Sequence, residues 1–131
     1  MKTKLFFVIF FIFSSTSLVW ATGTVRWNGS TSSAWETSSN WTTVSGTPST
    51  PPGSGDAVEI GIVAYTTQPT VSSSTSVTSI TFGAATGAIL TINSGVTLTV
   101  SGAVSLQSNA SSNSTASITG SRSEEHTSEL Q

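Results

Sequence analysis

Apolar and hydroxyl residues alternate between Val77 and Gly120, and this alternation constrains the fold more than any other feature of the chain. Successive side chains of a β-strand point to opposite faces, so a period of two predicts strands with one apolar face and one hydroxyl face, and it excludes a helix. The apolar residues at even positions are Ile80, Phe82, Leu90, Ile92, Val96, Leu98, Val100, Val104, Leu106 and Ile118. Val77 and Ile89 break the pattern and are predicted to lie where a turn resets the register.

The same segment repeats a short strand followed by a glycine turn. "LTINSG" at 90–95 is echoed by "LTVSG" at 98–102, and leucine recurs every eight residues at Leu90, Leu98 and Leu106. Such a unit cannot bury its own apolar face and needs a neighbour stacked on it. The predicted fold is therefore all-β, the start of a right-handed parallel β-helix (β-solenoid). With about 20 residues per coil, residues 58–120 make about three coils and leave the last edge open.

A β-sandwich is the alternative fold, because it also uses short strands separated by turns at similar spacing. Its hairpins favour Asn-Gly or Asp-Gly turns, whereas the turns here read "NSG" and "VSG". The turn sequences therefore favour the solenoid.

Changes in composition divide the chain into four segments. They are a signal peptide at 1–21, a tryptophan-rich N-terminal capping region at 22–56, solenoid coils at 57–120 and a charged tail at 121–131. The first segment has a basic start, a short apolar run "LFFVIFFIF" and Ala21 at the expected cleavage position. The protein is therefore expected to be secreted or on the outer cell surface, without a membrane span in the mature chain.

Charge and cysteine content exclude several classes of function. The chain has a formal net charge of -2 and no cysteine. It therefore offers no basic surface for nucleic acid, and neither a disulfide nor a thiolate metal site. No cofactor is predicted.

Few residues of the mature chain could perform acid–base chemistry. From Thr22 to Gly120 the charged residues are Arg26, Glu36, Asp56 and Glu59, and histidine is absent. Asp56 and Glu59 form the one near pair of carboxylates, but residues three apart lie on opposite faces of a strand. We therefore expect no enzymatic activity and assign no catalytic, cofactor-binding or metal-binding residue. Asp56 follows "PPGSG" and is expected to be an Asx-type turn residue rather than a calcium ligand.

Three tryptophans, Trp27, Trp35 and Trp41, are candidates for binding sugars. An indole offers a large flat apolar face with one hydrogen-bond donor, which suits stacking on a sugar ring. The alternative interpretation is that they cover the exposed core of the first coil, because terminal repeats of solenoids are atypical. Exposed coplanar indoles would support glycan contact, and buried indoles would contradict it.

The order of several short elements suggests a family. "RWNGSTSSAWETSSNW", "PPGSGDAVEI", "QPTV" and "SITFGAATGAILTINSGVTLTVSG" follow one another. This order resembles the N-terminal module of large secreted β-helical surface proteins of Gram-negative bacteria, nearest to the Bacteroidetes type that uses the type IX system and more loosely to autotransporter passengers. The resemblance implies a stalk or an adhesive surface, with surface glycans or other cell-surface components as partners, and a longer chain ending in a sorting domain.

The tail is interpreted separately. The stretch "RSEEHTSELQ" at 122–131 resembles the in-frame translation of a sequencing-library adapter. We therefore interpret these residues as non-native and assign no role to His126 or to the tail glutamates.

Two functional hypotheses remain. The first is a non-catalytic structural or adhesive module of an extracellular or cell-surface protein, of which this chain is an N-terminal fragment. The second is a secreted carbohydrate-binding or carbohydrate-active protein whose tryptophans contact glycan and whose catalytic part lies elsewhere.

Overall fold

The structure is a computed structural model that describes residues 22–85, 87–107 and 117–120. The predicted signal peptide and the charged tail lie outside the described residues. Within them the chain is mostly β, with a short 3₁₀ turn at Ser38–Asn40 and no α-helix. The strands are β1 (Gly23–Trp27), β2 (Trp41–Gly46), β3 (Asp56–Ile60), β4 (Thr70–Val71), β5 (Thr75–Val77), β6 (Ser79–Phe82), β7 (Ile89–Ile92), β8 (Leu98–Val100), β9 (Val104–Leu106) and β10 (Ser117–Gly120).

The strands form three sheets. Sheet A has the strand order β2-β1-β3-β6-β9, sheet B has the order β10-β7-β4, and sheet C pairs β5 with β8. From β3 onward, consecutive strands enter sheets A, B and C in turn and then begin again at sheet A. A strand therefore pairs with the strand three elements later.

Most of the strand pairing is parallel. Ala57 pairs with Ser79 and Ile80 with Val104, so the chain returns to sheet A after about 22 to 24 residues. In the described residues one pairing, β1 with β2, is antiparallel, and six are parallel. The β-sandwich alternative does not fit this pattern, because its sheets are built from antiparallel strands.

The core consists of rows of apolar side chains that continue from strand to strand. Val25, Val58 and Ile80 occupy matching register positions on β1, β3 and β6, and all three are buried. Ile60 and Phe82 form the neighbouring row. Parallel strands lie about 4.8 Å apart, so each side chain packs directly on its counterpart in the next strand.

The predicted alternation is confirmed in the first part of the repeat region and weakens toward its end. Ile80, Phe82 and Leu90 are buried as predicted. Val104 and Leu106 are 51% and 62% exposed, although they pair with Ile80 and Phe82 and continue their rows. In the described residues β9 is the last strand of sheet A, and no further strand covers the side chains of Val104 and Leu106 at this edge.

The two exceptions to the alternation have different explanations. Val77 and Ile80 are both buried although they are three positions apart, so the chain changes face between β5 and β6, as predicted. Ile89 is different, because Ala88 and Leu90 on either side of it are buried and the alternation continues through it. Ile89 lies on the outer face of β7 rather than at a change of register.

Close backbone contact at one corner of the fold requires glycine at position 83. A Cβ atom added to Gly83 would lie 2.6 Å from the carbonyl carbon of Gly61 and from the Cα of Ile62. We expect Gly83→Ala to destabilise the protein by about 1–3 kcal/mol, as overpacking does elsewhere. Urea denaturation measures this change in the free energy of unfolding.

Gly53→Ala is the matched control for Gly83→Ala. The nearest atom to an added Cβ at Gly53 is the Asp56 carboxylate oxygen at 3.8 Å, an ordinary contact distance. We expect it to shift the denaturation midpoint much less than Gly83→Ala does. Equal shifts for the two variants would show that the corner tolerates a side chain.

Candidate functional site

The three candidate tryptophans come together at the N-terminal end of the fold, and we call Trp27, Trp35 and Trp41 the tryptophan cap. Trp27 ends β1, Trp41 begins β2, and the two are partners in the antiparallel register. Trp35 lies in the connection between these strands, next to Ala34, which bridges to Thr70 of β4. Pairing of β1 with β2 and the contact with β4 therefore bring the three indoles together.

The indoles pack edge to face. The ring centroids of Trp27 and Trp41 are 5.0 Å apart at an interplanar angle of 77°, and those of Trp35 and Trp41 are 4.6 Å apart at 76°. The Trp27 Nε1–H donates to the Thr67 carbonyl and the Trp41 Nε1–H to the Trp35 carbonyl, each at 2.7 Å. Trp35 Nε1 is buried and has no hydrogen-bond partner in the described part of the chain. Trp41 is the central ring, because it contacts both of the others.

A buried asparagine holds the connection that carries Trp35. Asn40 Oδ1 accepts hydrogen bonds from the backbone amides of Thr31 and Ser32, at 3.0 and 3.1 Å. Its Nδ2 donates to the Ser32 hydroxyl and the Ala34 carbonyl. The side chain is fully buried, and all of its hydrogen-bonding groups are used within the protein. Asn40 therefore shapes this loop from inside.

The expectation of glycan contact at Trp27, Trp35 and Trp41 is not supported by this geometry. All three residues are at most 6% exposed, and their rings are nearly perpendicular rather than coplanar. Stacking on a sugar needs an accessible ring face. Here the faces and edges of the indoles are used to cover the end of the core, which is the alternative interpretation made from the sequence.

Two charged residues of the mature chain pair with each other on the outer face of sheet A. Arg26 on β1 and Glu59 on β3 are partners in the parallel register. Arg26 Nη2 and Nε lie 2.7 and 2.8 Å from Glu59 Oε2. The pair joins the first strand to the next coil.

We expect this ion pair to contribute little to stability, because both side chains keep about a quarter of their surface exposed. A double-mutant cycle with Arg26→Ala and Glu59→Ala is expected to give a coupling free energy of about 0.2–1 kcal/mol. The coupling should fall at high salt, where surface charges are screened. A coupling well above this range, unchanged by salt, would mean that the pair acts as a buried one.

Asp56 holds the turn that precedes β3, but not as the Asx-type turn residue that the sequence predicts. Its carboxylate accepts hydrogen bonds from the backbone amides of Ser49 and Gly53 and from the Thr22 hydroxyl, and the side chain is buried. These donors lie on the N-terminal side of Asp56 in the sequence, so the geometry differs from an Asx turn, in which the acceptor precedes its donor.

Glu36 links the capping region to sheet B. Its Oε1 accepts hydrogen bonds from the backbone amides of Ser72 and Ser73, both at 2.7 Å. These two residues directly follow β4. Together with the Ala34–Thr70 bridge, this contact fixes the connection between β1 and β2 against β4.

The described residues contain no group of three or more metal-ligating side chains from His, Cys, Asp and Glu. In that same part of the chain, no helix is both long and apolar enough to cross a membrane.

The other end of the fold differs from the tryptophan cap. Sheet A ends at β9, and we call Val104 and Leu106 on this strand the open end. Their side chains are the two most exposed apolar ones that continue rows of the core. A sheet edge of this kind offers unpaired backbone groups and apolar surface to another strand.

Sequence reasoning missed the two polar residues that organise the cap, Asn40 and Glu36. Asn40 precedes Trp41 in a segment rich in serine and threonine, and nothing in its neighbourhood marks it as buried. The sequence signal for Glu36 was its isolation as one of four charged residues between Thr22 and Gly120. A carboxylate can accept strong, charge-assisted hydrogen bonds from backbone amides.

The comparisons with known proteins give no relative. No protein-family model, no curated protein and no solved structure matches this chain.

Proposed function

We propose that this chain is the capped N-terminal part of a β-solenoid, and that it serves as a non-catalytic structural or adhesive module of a secreted or cell-surface protein. In this role the capping region, residues 22–56, closes the first coil, and the stacked coils support or project a binding region. The proposal includes the right-handed parallel β-helix expected from the repeat.

The order of the strands carries this proposal. Eight consecutive strands, β3 to β10, visit the three sheets in an unbroken cycle, and their pairings are parallel. A chain that returns to the same sheet after each circuit lengthens along one axis. Parallel crossover connections are nearly always right-handed.

The difference between the two edges of sheet A favours a stack of coils that continues beyond β9. The outer side of β1 is covered by β2, whereas the open end continues the core rows without a covering strand in the described residues. Solenoids use atypical terminal repeats to end a stack. An uncovered apolar row favours further coils beyond β9.

The placement of the charged residues favours a non-catalytic role. Arg26 and Glu59 neutralise each other, and Glu36 and Asp56 accept hydrogen bonds from backbone amides. General acid–base catalysis needs such groups directed at a substrate. Secretion is proposed from the first 21 residues alone, and surface glycans or other cell-surface components remain the proposed partners.

The direct test is to amplify the gene from source DNA and read across the codon for Gly120. We expect an open frame that continues the alternation of apolar and Thr residues with a circuit of about 22 to 24 residues. A genomic sequence that reproduces "RSEEHTSELQ" and then stops would overturn the proposal of a longer solenoid.

A second measurement tests the shape. Each added coil should lengthen the particle by about 4.8 Å, the spacing of paired strands. Small-angle X-ray scattering of the longer protein and of versions shortened by whole coils should give maximum dimensions that increase linearly with coil number. A dimension that does not depend on coil number would contradict the solenoid.

A further inference from the structure

We propose that the capping region, residues 22–56, is the template on which the coils fold, so that the stack forms from the N-terminal end toward β9. Repeat arrays can in general nucleate at any repeat and propagate in both directions. In this protein the buried polar side chains and the packed tryptophans lie at the N-terminal end, and burial of apolar side chains decreases toward β9. The inference concerns the coil architecture of the proposed function, but its evidence comes from the described residues.

The first observation is a gradient of burial along the chain. We count β1–β2 as the first circuit, β3 to β5 as the second and β6 to β8 as the third. Five aliphatic residues of the first two circuits are each at most 1% exposed: Val25, Val58, Ile60, Val71 and Val77. In the third circuit, β6 to β8, Ile80, Phe82 and Leu90 are still buried. From Ile92 onward the apolar residues of this circuit, Ile92, Leu98 and Val100, are only partly buried. Val104 and Leu106 at the open end are mostly exposed. Burial of the apolar rows therefore decreases from Ile92 toward the open end.

The second observation is the distribution of specific polar contacts. The buried side chains of Asn40 and Asp56 both lie in the capping region. Glu36, Arg26 and Trp27 then connect this region to residues of the next circuit, at Ser72, Glu59 and Thr67. The second and third circuits are also joined by side-chain hydrogen bonds, but these lie at the exposed surface: the Ile89 amide donates to Gln68, Asn93 donates to Ser72, and the Thr97 amide donates to Ser74. Between β6 and β9 there is a hydroxyl contact of Thr81 with Ser105. Polar contacts thus occur along the chain, but the buried polar side chains lie in the capping region.

The third observation is that the two edges of sheet A differ. The β1–β2 pairing contains a register shift between Thr24 and Val25, and β2 is antiparallel to the rest of the sheet. Bulges at sheet edges disfavour further strand pairing. A strand can therefore be added at β9 but is disfavoured at β2, and this gives the stack a direction.

Two variants of the mature chain, residues 22–131, test the inference. Val25→Asp places a carboxyl group in the core beneath the cap, and Leu90→Asp does the same in the third circuit. Both wild-type residues are fully buried, so each variant buries a charge-bearing group at a comparable site. All three tryptophans of the mature chain lie in the cap, so their emission reports the cap alone. Hydrogen exchange detected by mass spectrometry reports the strands.

For Leu90→Asp we expect native tryptophan emission and retained amide protection in β1 and β3, with loss of protection in β7 and β8. For Val25→Asp we expect red-shifted emission and loss of protection in every strand from β1 to β8. The inference is overturned if Leu90→Asp unfolds the cap as well, or if Val25→Asp leaves β7 and β8 protected. A short genomic reading frame would defeat the longer solenoid and leave this exchange pattern unaffected, so the two proposals fail separately.

Discussion

Replacing Trp41 with alanine is expected to lower the free energy of unfolding by about 3–5 kcal/mol, the usual cost of removing a large buried aromatic side chain. Trp41 contacts both other indoles of the tryptophan cap, and its Nε1–H donates to the Trp35 carbonyl. The substitution would remove both ring contacts, leave that carbonyl unpaired and open a cavity at the end of the core. Chemical denaturation followed by far-UV circular dichroism measures the loss.

Two further variants make this result interpretable. Trp41→Phe keeps an aromatic ring and loses the N–H donor, so we expect an intermediate loss of stability. Val44→Ala, on the exposed part of β2, should leave the denaturation midpoint almost unchanged. If Trp41→Ala cost no more than Val44→Ala, the indole would have to be exposed in solution, and glycan contact would again need to be considered.

Asn40→Ala is expected to cost about 2–4 kcal/mol, the second largest effect. The variant leaves the Thr31 and Ser32 amides and the Ala34 carbonyl without their partner. Removing one partner from a buried hydrogen bond costs about 1–3 kcal/mol, because the remaining group has lost both water and its replacement. The loop that carries Trp35 should loosen at the same time. Amide exchange at residues 31–35 measures this, together with the denaturation midpoint.

Asn28→Ala is the matched control for Asn40→Ala. Asn28 belongs to the same region, and its Oδ1 accepts a hydrogen bond from the Ser30 amide while its Nδ2 donates to Thr42. Both bonds lie at the surface, where water can replace the missing side chain. We expect a loss below about 1 kcal/mol for Asn28→Ala. Similar losses in the two variants would contradict the argument that burial makes Asn40 important.

The period-two alternation was enough to predict strands, and it identified Ile80, Phe82 and Leu90 as core residues. It could not separate these from Val104 and Leu106, which follow the same pattern and are exposed. A pattern gives the direction in which a side chain points. Whether the side chain is buried depends on a covering strand. That strand comes from a distant part of the chain or lies outside the described residues.

At the candidate site, too, the local sequence did not determine whether a side chain is buried. Trp27, Trp35 and Trp41 were recognised as a cluster, but composition allowed either a sugar-binding face or a cover for the core. Antiparallel pairing of Trp27 with Trp41 and the Ala34–Thr70 bridge bring the three rings together, and all three are buried, which favours the cover for the core. Asn40 was not identified at all, because a buried asparagine among serines and threonines has the same sequence appearance as an exposed one.

The sequence by itself therefore determined the β-class, the short strands separated by glycine turns, and the small number of charged residues between Thr22 and Gly120. These properties are local, because each depends on the residue types within a few positions. The repeat also predicted parallel stacking, with a β-sandwich as the alternative. Only the tertiary structure decided which strands pair, with a return to sheet A after about 22 to 24 residues from β3 onward, that the indoles are buried, and that one end of sheet A is covered while the other is open. Those features depend on which distant strands become neighbours, and neighbours are chosen by the burial of whole rows of side chains rather than by any single segment.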